Sequence, residues 1–338
     1  MRAALLHGAH DLRPAEVPDP EPAEDETLVA VEALGICGSD LHWYDEGRIG
    51  SAVLSQPVVP GHEIGGRALT GPYAGLVVAL DPADSCRRCA LCEAGKHNLC
   101  RAIRFAGDGT APGGLAERIA WPTRLLSPMP EGSTAVDAAL LEPLGVATYA
   151  VQLVGVPVGG TVAVVGLGPI GQLVCRVARA AGAGRVVGVD PLAHRREAAL
   201  VGPGGVDAVL DAAPAREEDV WAETAPDGVG VVYDACGSPD ALVEALRAVA
   251  PDGDVVLAGI PDGNVTSFPA DLARRKGVRL TTVRRMRDSY PAALALLASG
   301  RLSLDGLVDR TFALDEAGGA FDRALARDGL KTVIEPHR

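Results

Sequence analysis

Thr161-Val162-Ala163-Val164-Val165 is an unbroken apolar run, and Gly166-Leu167-Gly168-Pro169-Ile170-Gly171 follows it directly. The run has the length and β-branched content of a strand buried on both faces. The glycines permit a tight turn, Pro169 suits a first helical position, and helical periodicity continues through about residue 181. Working outward, strands are expected at 185–190, 207–210, 229–234 and 254–259, with helices at 192–201, around 217–224 and at 239–249. In the last of these, Leu242, Ala245, Leu246 and Val249 share one face, as a helix packed on a sheet requires. Strands that alternate with helices predict an α/β fold with a doubly wound parallel sheet, because parallel neighbours need helical crossovers. A further strand at 278–283 and a helix at 289–298 extend the series.

The turn fits G-x-G-x-x-G, a weak signal alone. Here a strand precedes it, a helix follows it, and Asp190 closes the next strand. That context favours a dinucleotide site over a purely structural turn. Gly166 permits the tight turn, and Gly168 lets a pyrophosphate approach the backbone. Gly171 lets helix and strand pack closely, and the helix N-terminus attracts the anion. Asp190 would accept hydrogen bonds from ribose hydroxyls and repel a 2′-phosphate, which favours NAD over NADP. Arg195 and Arg196 follow closely and keep NADP open.

The first part of the chain has a different texture. Pro14, Pro18, Pro20 and Pro22 prevent helix there, residues 27–33 read as a strand, and residues 36–130 are rich in Gly and Pro with short apolar runs. This predicts a mostly β domain that displays its chemistry on loops. Within it, Cys86, Cys89, Cys92 and Cys100 fall at spacings that let four thiolates close a tetrahedral shell around Zn²⁺ with no open position. Such a site is structural and would organise a lobe at about 81–104 that has little apolar core of its own. An iron–sulfur cluster would call for closer spacing after its first three cysteines. The tail at 311–314 and 331–334 returns to strand character and is expected to fold back onto this domain.

Composition bounds these readings. The 338 residues suffice for two domains, and 48% hydrophobic with 22% charged residues is a globular balance. A net charge of −13 argues against nucleic acid as a partner, and against a zinc ribbon that binds one. No run of apolar residues is long enough to span a membrane, and the N-terminus does not read as a signal peptide, so a cytoplasmic location is expected. Clustered cysteines then read as metal ligands, not disulfides. Cys175 and Cys236 read as packing residues.

Two further segments carry chemistry: Gly35-Ile36-Cys37-Gly38-Ser39-Asp40-Leu41-His42 and Gly61-His62-Glu63-Ile64-Gly65-Gly66. They supply Cys, His and Glu, ligand types suited to a catalytic zinc with an open position. Leu141-Glu142-Pro143-Leu144 adds a carboxylate just before the dinucleotide domain. Singly, Cys37 could be a small buried residue, His62 a satisfied loop histidine, and Glu142 a helix-start carboxylate. Their coexistence with the Gly-rich turn and the cysteine lobe favours the functional reading.

In these stretches, in Trp43-Tyr44-Asp45-Glu46-Gly47-Arg48-Ile49-Gly50 and in Glu142-Pro143-Leu144-Gly145, the chain resembles the zinc-containing medium-chain dehydrogenase/reductase family. The likeness is to its polyol and sugar-acid branch of sorbitol/xylitol and L-idonate 5-dehydrogenases, and it covers nearly the whole chain in order. The resemblance implies a GroES-like catalytic domain at 1–144, a Rossmann NAD-binding domain at 145–280, and a C-terminal segment at 281–338 that returns to the first. It implies catalytic zinc on Cys37, His62 and Glu63, with water or Glu142 completing the shell, and so two zinc ions per chain. Ser39 and His42 match positions that relay the substrate proton, and Asp40 matches a partner of the zinc-bound histidine. Arg285 matches an arginine near the substrate, with Arg284 and Arg287 as close rivals. The implied activity is NAD-linked oxidation of a secondary hydroxyl on a small polyhydroxylated substrate, by a homodimer or homotetramer. An L-threonine 3-dehydrogenase shares much of the pattern, and a non-catalytic nucleotide-binding relative is the non-enzymatic alternative. One departure stands out: the segment between Gly66 and Asp81 is shorter than usual, and Leu80-Asp81-Pro82 replaces the family's Gly-Asp-Arg-Val.

Overall fold

Residues 1–212, 220–261 and 265–338 are described by the computed structural model. The chain divides into two compact units, Met1–Glu142 with Val308–Arg338, and Pro143–Leu307.

The first unit is built on a seven-stranded sheet, whose main path runs Leu126–Pro128, Val77–Leu80, Glu63–Ala68, Glu26–Gly35, Lys331–Glu335, Val308–Ala313. Arg118–Pro122 also pairs with Glu26–Gly35. Alternation along Glu26–Gly35 places Val29 and Val31 in a core with Leu6, Leu34, Trp121 and Phe321. The shortened segment keeps the sheet intact: Val77–Leu80 pairs with both Glu63–Ala68 and Leu126–Pro128. Just beyond it the Asp81 carbonyl accepts a hydrogen bond from the Trp121 indole at 2.8 Å.

One element departs from the loop-borne chemistry expected. Gly38–Glu46 is a nine-residue α-helix. Its start is closed by the Asp40 carboxylate, which accepts a hydrogen bond from the Cys37 N–H at 3.0 Å and so satisfies a donor the helix leaves unpaired. Ser39, Asp40 and His42 therefore sit on a rigid element.

The second unit holds a six-stranded parallel sheet in the order Ala208–Leu210, Arg185–Val189, Thr161–Val165, Val229–Asp234, Val249–Leu257, Arg279–Thr282. The strand order reverses between Thr161–Val165 and Val229–Asp234, the switch point where open α/β sheets bind ligands beyond the strands' carboxyl ends. The turn Gly166–Gly171 leaves the sheet there. The helices Pro169–Ala180, Ala193–Val201 and Pro239–Ala248 are those expected within a residue or two. The stretch around 217–224 lies partly outside the described residues; Val220–Thr224 is helical. Strand Val249–Leu257 begins earlier than expected, with Asp252 in the left-handed region and a register shift against Val229–Asp234.

The division of the chain also differs from the sequence reading at its second boundary. The second unit runs to Leu307, not to residue 280. Arg279–Thr282 is the sixth parallel strand, and Met286 and Tyr290 pack against Gly145, so residues 281–307 stay with this sheet. The return to the first unit begins at Val308.

Gly171 is the tightest point of the turn: a Cβ there would lie 1.7 Å from the Gly166 carbonyl oxygen. Gly171→Ala should therefore destabilise the protein by about 3 kcal/mol or more and weaken dinucleotide binding. Denaturant melts and cofactor titration of the variant check this.

Candidate active site and metal centres

The first centre is the cysteine lobe. Cys89 opens the short helix Ala90–Glu93, and Arg87 takes a left-handed backbone conformation that lets the chain double back between Cys86 and Cys89. The donor atoms of Cys86, Cys89, Cys92 and Cys100 all lie within 4.8 Å of one another. Cys89 Sγ is 3.5 Å from Cys92 Sγ and 4.0 Å from Cys100 Sγ. Zn–S bonds of about 2.3 Å in a tetrahedron put sulfurs about 3.8 Å apart, so the cluster has the size of a zinc shell. A backbone hydrogen bond from Cys92, the largest cause, draws the Cys89 thiol down to about 6, whereas burial pushes Cys92 up to about 11. Among the described residues this is the only group of three or more ligand residues so tightly gathered.

The second centre is built by three neighbouring pieces of the first unit. Cys37 precedes the helix Gly38–Glu46, His62 precedes the strand Glu63–Ala68, and Glu142 lies in the first turn of the helix Leu141–Val154. Asp40, His62, Glu63 and Glu142 are all buried. Asp40 Oδ1 stands 3.3 Å from His62 Nδ1, while its other oxygen holds the Cys37 N–H. One carboxylate thus ties the cysteine's backbone to the histidine's ring. An Nδ1–H directed at Asp40 leaves the Nε2 lone pair for a metal, a carboxylate–histidine arrangement common at zinc sites. Ser39 Oγ is 3.5 Å from Nε2. Phe105 packs on the imidazole with ring centroids 5.1 Å apart. Burial works against charge on His62, but Asp40 and then Cys37 outweigh it and lift its pKa well above the ordinary value.

Glu63 is paired with Lys331, while its buried Oε2 accepts no hydrogen bond among the described residues. Its carboxylate is held by Lys331, whose Nζ donates to Oε1 at 2.6 Å and also pairs with Oε2. Sequence reading missed Lys331; the signal was a lone cation opening the apolar strand Lys331-Thr332-Val333-Ile334. Glu142 has no ion-pair partner among the described residues. Burial, with Glu63 and Asp81 adding to it against His62 and Lys331, pushes its carboxyl up to about 7. Cys37, His62, Glu63 and Glu142 offer the thiol, imidazole and carboxylate donor types that a catalytic zinc takes, though they are not gathered as closely as the four cysteines.

On the face of the helix that carries Ser39, His42 follows one turn later, and its Nδ1 is 3.2 Å from Glu46 Oε1. Glu46 in turn lies 3.6 Å from Arg48. The chain of polar groups from the half-buried Ser39 to the exposed Arg48 was visible in sequence only as far as His42.

The dinucleotide equipment belongs to the second unit. Gly166 has φ +92°, Leu167 is buried, Gly168 caps the helix, and Pro169 and Ile170 begin it. Asp190 accepts hydrogen bonds from the Leu167 N–H at 2.7 Å and the Leu192 N–H at 2.8 Å. It therefore clamps the Gly-rich turn to the turn after the second strand. Arg195 reaches over the turn, its Nη1 3.3 Å from where a Cβ on Gly168 would stand, and Arg196 is committed to the Asp190 carbonyl and to Asp211. Arg285 also belongs to this unit, half-buried and left-handed at φ +57°. Its neighbour Arg287 stacks on Tyr149 at 5.3 Å.

A parallel sheet with a nucleotide turn, a four-cysteine zinc lobe and a Cys–His–carboxylate centre together define a zinc-dependent dehydrogenase. The alcohol dehydrogenase GroES-like domain matches residues 23–131, and the zinc-binding dehydrogenase domain matches residues 169–299. A sorbitol dehydrogenase of Bacillus subtilis is 31% identical, over 100% of this chain and 98% of its own. Among solved structures, the L-idonate 5-dehydrogenase of Escherichia coli superposes with a TM-score of 0.88 at 25% identity, covering 99% of this chain and 97% of the other. A putative zinc-binding dehydrogenase of Sinorhizobium meliloti, bound to NADP, gives a TM-score of 0.88 at 30% identity over 99% of both chains. The chain belongs to the zinc-containing medium-chain dehydrogenases, in their polyol branch, and is an oxidoreductase with GroES-like and Rossmann domains.

Cys100→Ser should lower the metal content from about two to about one zinc per chain and lower the melting temperature, because the lobe loses its organising ion. Elemental analysis and calorimetry of the purified variant check both.

Proposed function

We propose that the protein oxidises a secondary hydroxyl of a small polyol or sugar acid, using NAD as hydride acceptor and a catalytic zinc held by Cys37, His62 and a carboxylate. The observation that carries this reading is the cluster around Asp40, where one buried carboxylate orients His62 beside Cys37 and Ser39. The similarity to sorbitol and L-idonate dehydrogenases supports the substrate class.

A zinc ion at this centre supplies Lewis acidity, which lowers the proton affinity of a hydroxyl held beside it. Nicotinamide supplies the acceptor for the hydride that leaves the carbon. The rest falls to side chains. Ser39 Oγ takes the hydroxyl proton and passes it outward to His42, one helical turn away. Glu46 holds His42 Nδ1, so its Nε2 is the atom that receives the proton. Asp40 keeps His62 in one tautomer and one orientation, and Phe105 covers its ring against water. The secondary alcohol becomes a ketone, NAD becomes NADH, and one proton reaches solvent.

The preference for NAD rests on Asp190, whose buried carboxylate at the end of the second strand disfavours a 2′-phosphate. Arg195, over the Gly-rich turn, is a cation that would favour a 2′-phosphate, and one similar structure is bound to NADP.

Polyols, aldonates and threonine should be screened with NAD and with NADP. Turnover is expected with polyols or aldonates and NAD. Cys37→Ser should cut that turnover by about 10³-fold or more while leaving NAD affinity near the parent value. Undiminished turnover in this variant would refute the zinc role, and a preference for threonine would refute the substrate class.

A further inference from the structure

The helix Gly38–Glu46 carries Ser39 and His42, yet nine residues are too few for a helix to sustain itself in water. Its place comes from its neighbours. Ser39, His42 and Glu46 share one face, and Tyr44 projects from the opposite side. There Tyr44 is buried, with its ring centroid 5.2 Å from that of Phe321 and 4.9 Å from that of His10. Its hydroxyl donates to Asp322 Oδ1 at 2.7 Å. Burial, and then Asp322, push the phenol up to about 12, so it keeps its proton and stays a donor. Phe321 and Asp322 belong to the helix Ala317–Leu325, in the segment Val308–Arg338 that returns to the first unit. The same segment grips the lead-in to Cys37, where the Thr332 carbonyl accepts the Ile36 N–H at 3.1 Å. Two points remote in sequence therefore hold the element, one just before Cys37 and one opposite Ser39 and His42.

We propose that Tyr44 and Asp322 are positioning residues that set the rotation of the helix Gly38–Glu46 about its axis, and with it the alignment of Ser39 and His42 for proton transfer. The inference rests on the proton path proposed above. The other anchors act on the two ends of the helix. The Asp40 carboxylate takes the Cys37 N–H at the start, and the His10 N–H donates to the Tyr44 carbonyl at 2.7 Å near the finish. These are bonds to backbone close to the axis, so a turn about the axis displaces them little. The Tyr44 hydroxyl stands a full side chain away from the axis, and its hydrogen bond is directional. A rotation that stretches this bond displaces the far face by a comparable distance, and Ser39 and His42 sit on that face. Proton transfer needs its partners within hydrogen-bond reach, so a displacement on the order of 1 Å slows it. Neither Tyr44 nor Asp322 exchanges a proton in this role; both act through the helix.

The test uses the full-length, zinc-loaded protein and a polyol or aldonate that it turns over. Tyr44→Phe removes one oxygen and keeps the ring on Phe321; Asp322→Ala and Asp322→Asn accompany it, with His42→Ala as the reference for a broken path. The single-turnover rate of NADH formation, the alcohol KM, NAD affinity and metal content are read for each. The rate is then followed as triethanolamine, a diffusible base, is added. Tyr44→Phe and Asp322→Ala should each slow NADH formation by about tenfold while KM, NAD affinity and metal content stay near the parent values. Triethanolamine should restore most of the lost rate in both, as in His42→Ala, a response that lost stability alone would not give. Asp322→Asn should recover most of the rate, because its amide oxygen still accepts the Tyr44 hydroxyl. If Asp322→Ala does not fold, Tyr44→Phe still decides. A parent rate in Tyr44→Phe, or a loss that added base leaves untouched, would overturn the proposal. A parent rate in His42→Ala would instead overturn the proton path beneath it.

Discussion

Three carboxylates, Asp40, Glu63 and Glu142, are buried in one region of the first unit beside Cys37, with His62 and Lys331 as the buried basic groups facing them. Buried charge is costly unless it is paired and hydrogen-bonded. Asp40 is compensated by the Cys37 N–H and the His62 ring, and Glu63 by Lys331. Glu142 is left over, and burial drives its carboxyl up to about 7. A divalent cation held by Cys37, His62 and a carboxylate, as proposed above, would offset that imbalance.

The two units contribute different equipment. The first holds the cysteine lobe and the helix Gly38–Glu46, along which the proposed proton path runs. The second supplies a parallel sheet whose strand order reverses beside the Gly-rich turn, with Asp190 clamping that turn through two backbone hydrogen bonds. In both, rigid backbone carries the candidate groups: a capped helix for Ser39 and His42, a strand end for His62, and a helix N-terminus after the Gly-rich turn.

The sheet of the second unit was legible because parallel strands buried on both faces read as continuous apolar runs, and Gly166–Gly171 punctuates them. The cysteine lobe was legible because thiolate spacing is itself the geometric requirement. The helix at Gly38–Glu46 was less so: its sequence mixes buried Trp43 and Tyr44 with polar Ser39, His42 and Glu46 and has no strong apolar stripe. Lys331 and Glu46 escaped notice because their roles come from partners. One pairs with a carboxylate brought near by strand register, far away in sequence, and the other with a histidine on its own helix. The boundary at Leu307 was hidden for a similar reason, since the packing of Tyr290 on Gly145 leaves no mark on local pattern.

The most direct measurement is an anomalous diffraction map of the purified protein at the zinc edge. The account predicts two peaks in each chain, one enclosed by Cys86, Cys89, Cys92 and Cys100 and one in contact with Cys37, His62 and Glu142. A single peak confined to the cysteine lobe, with His62 and Glu142 facing no ion, would contradict it.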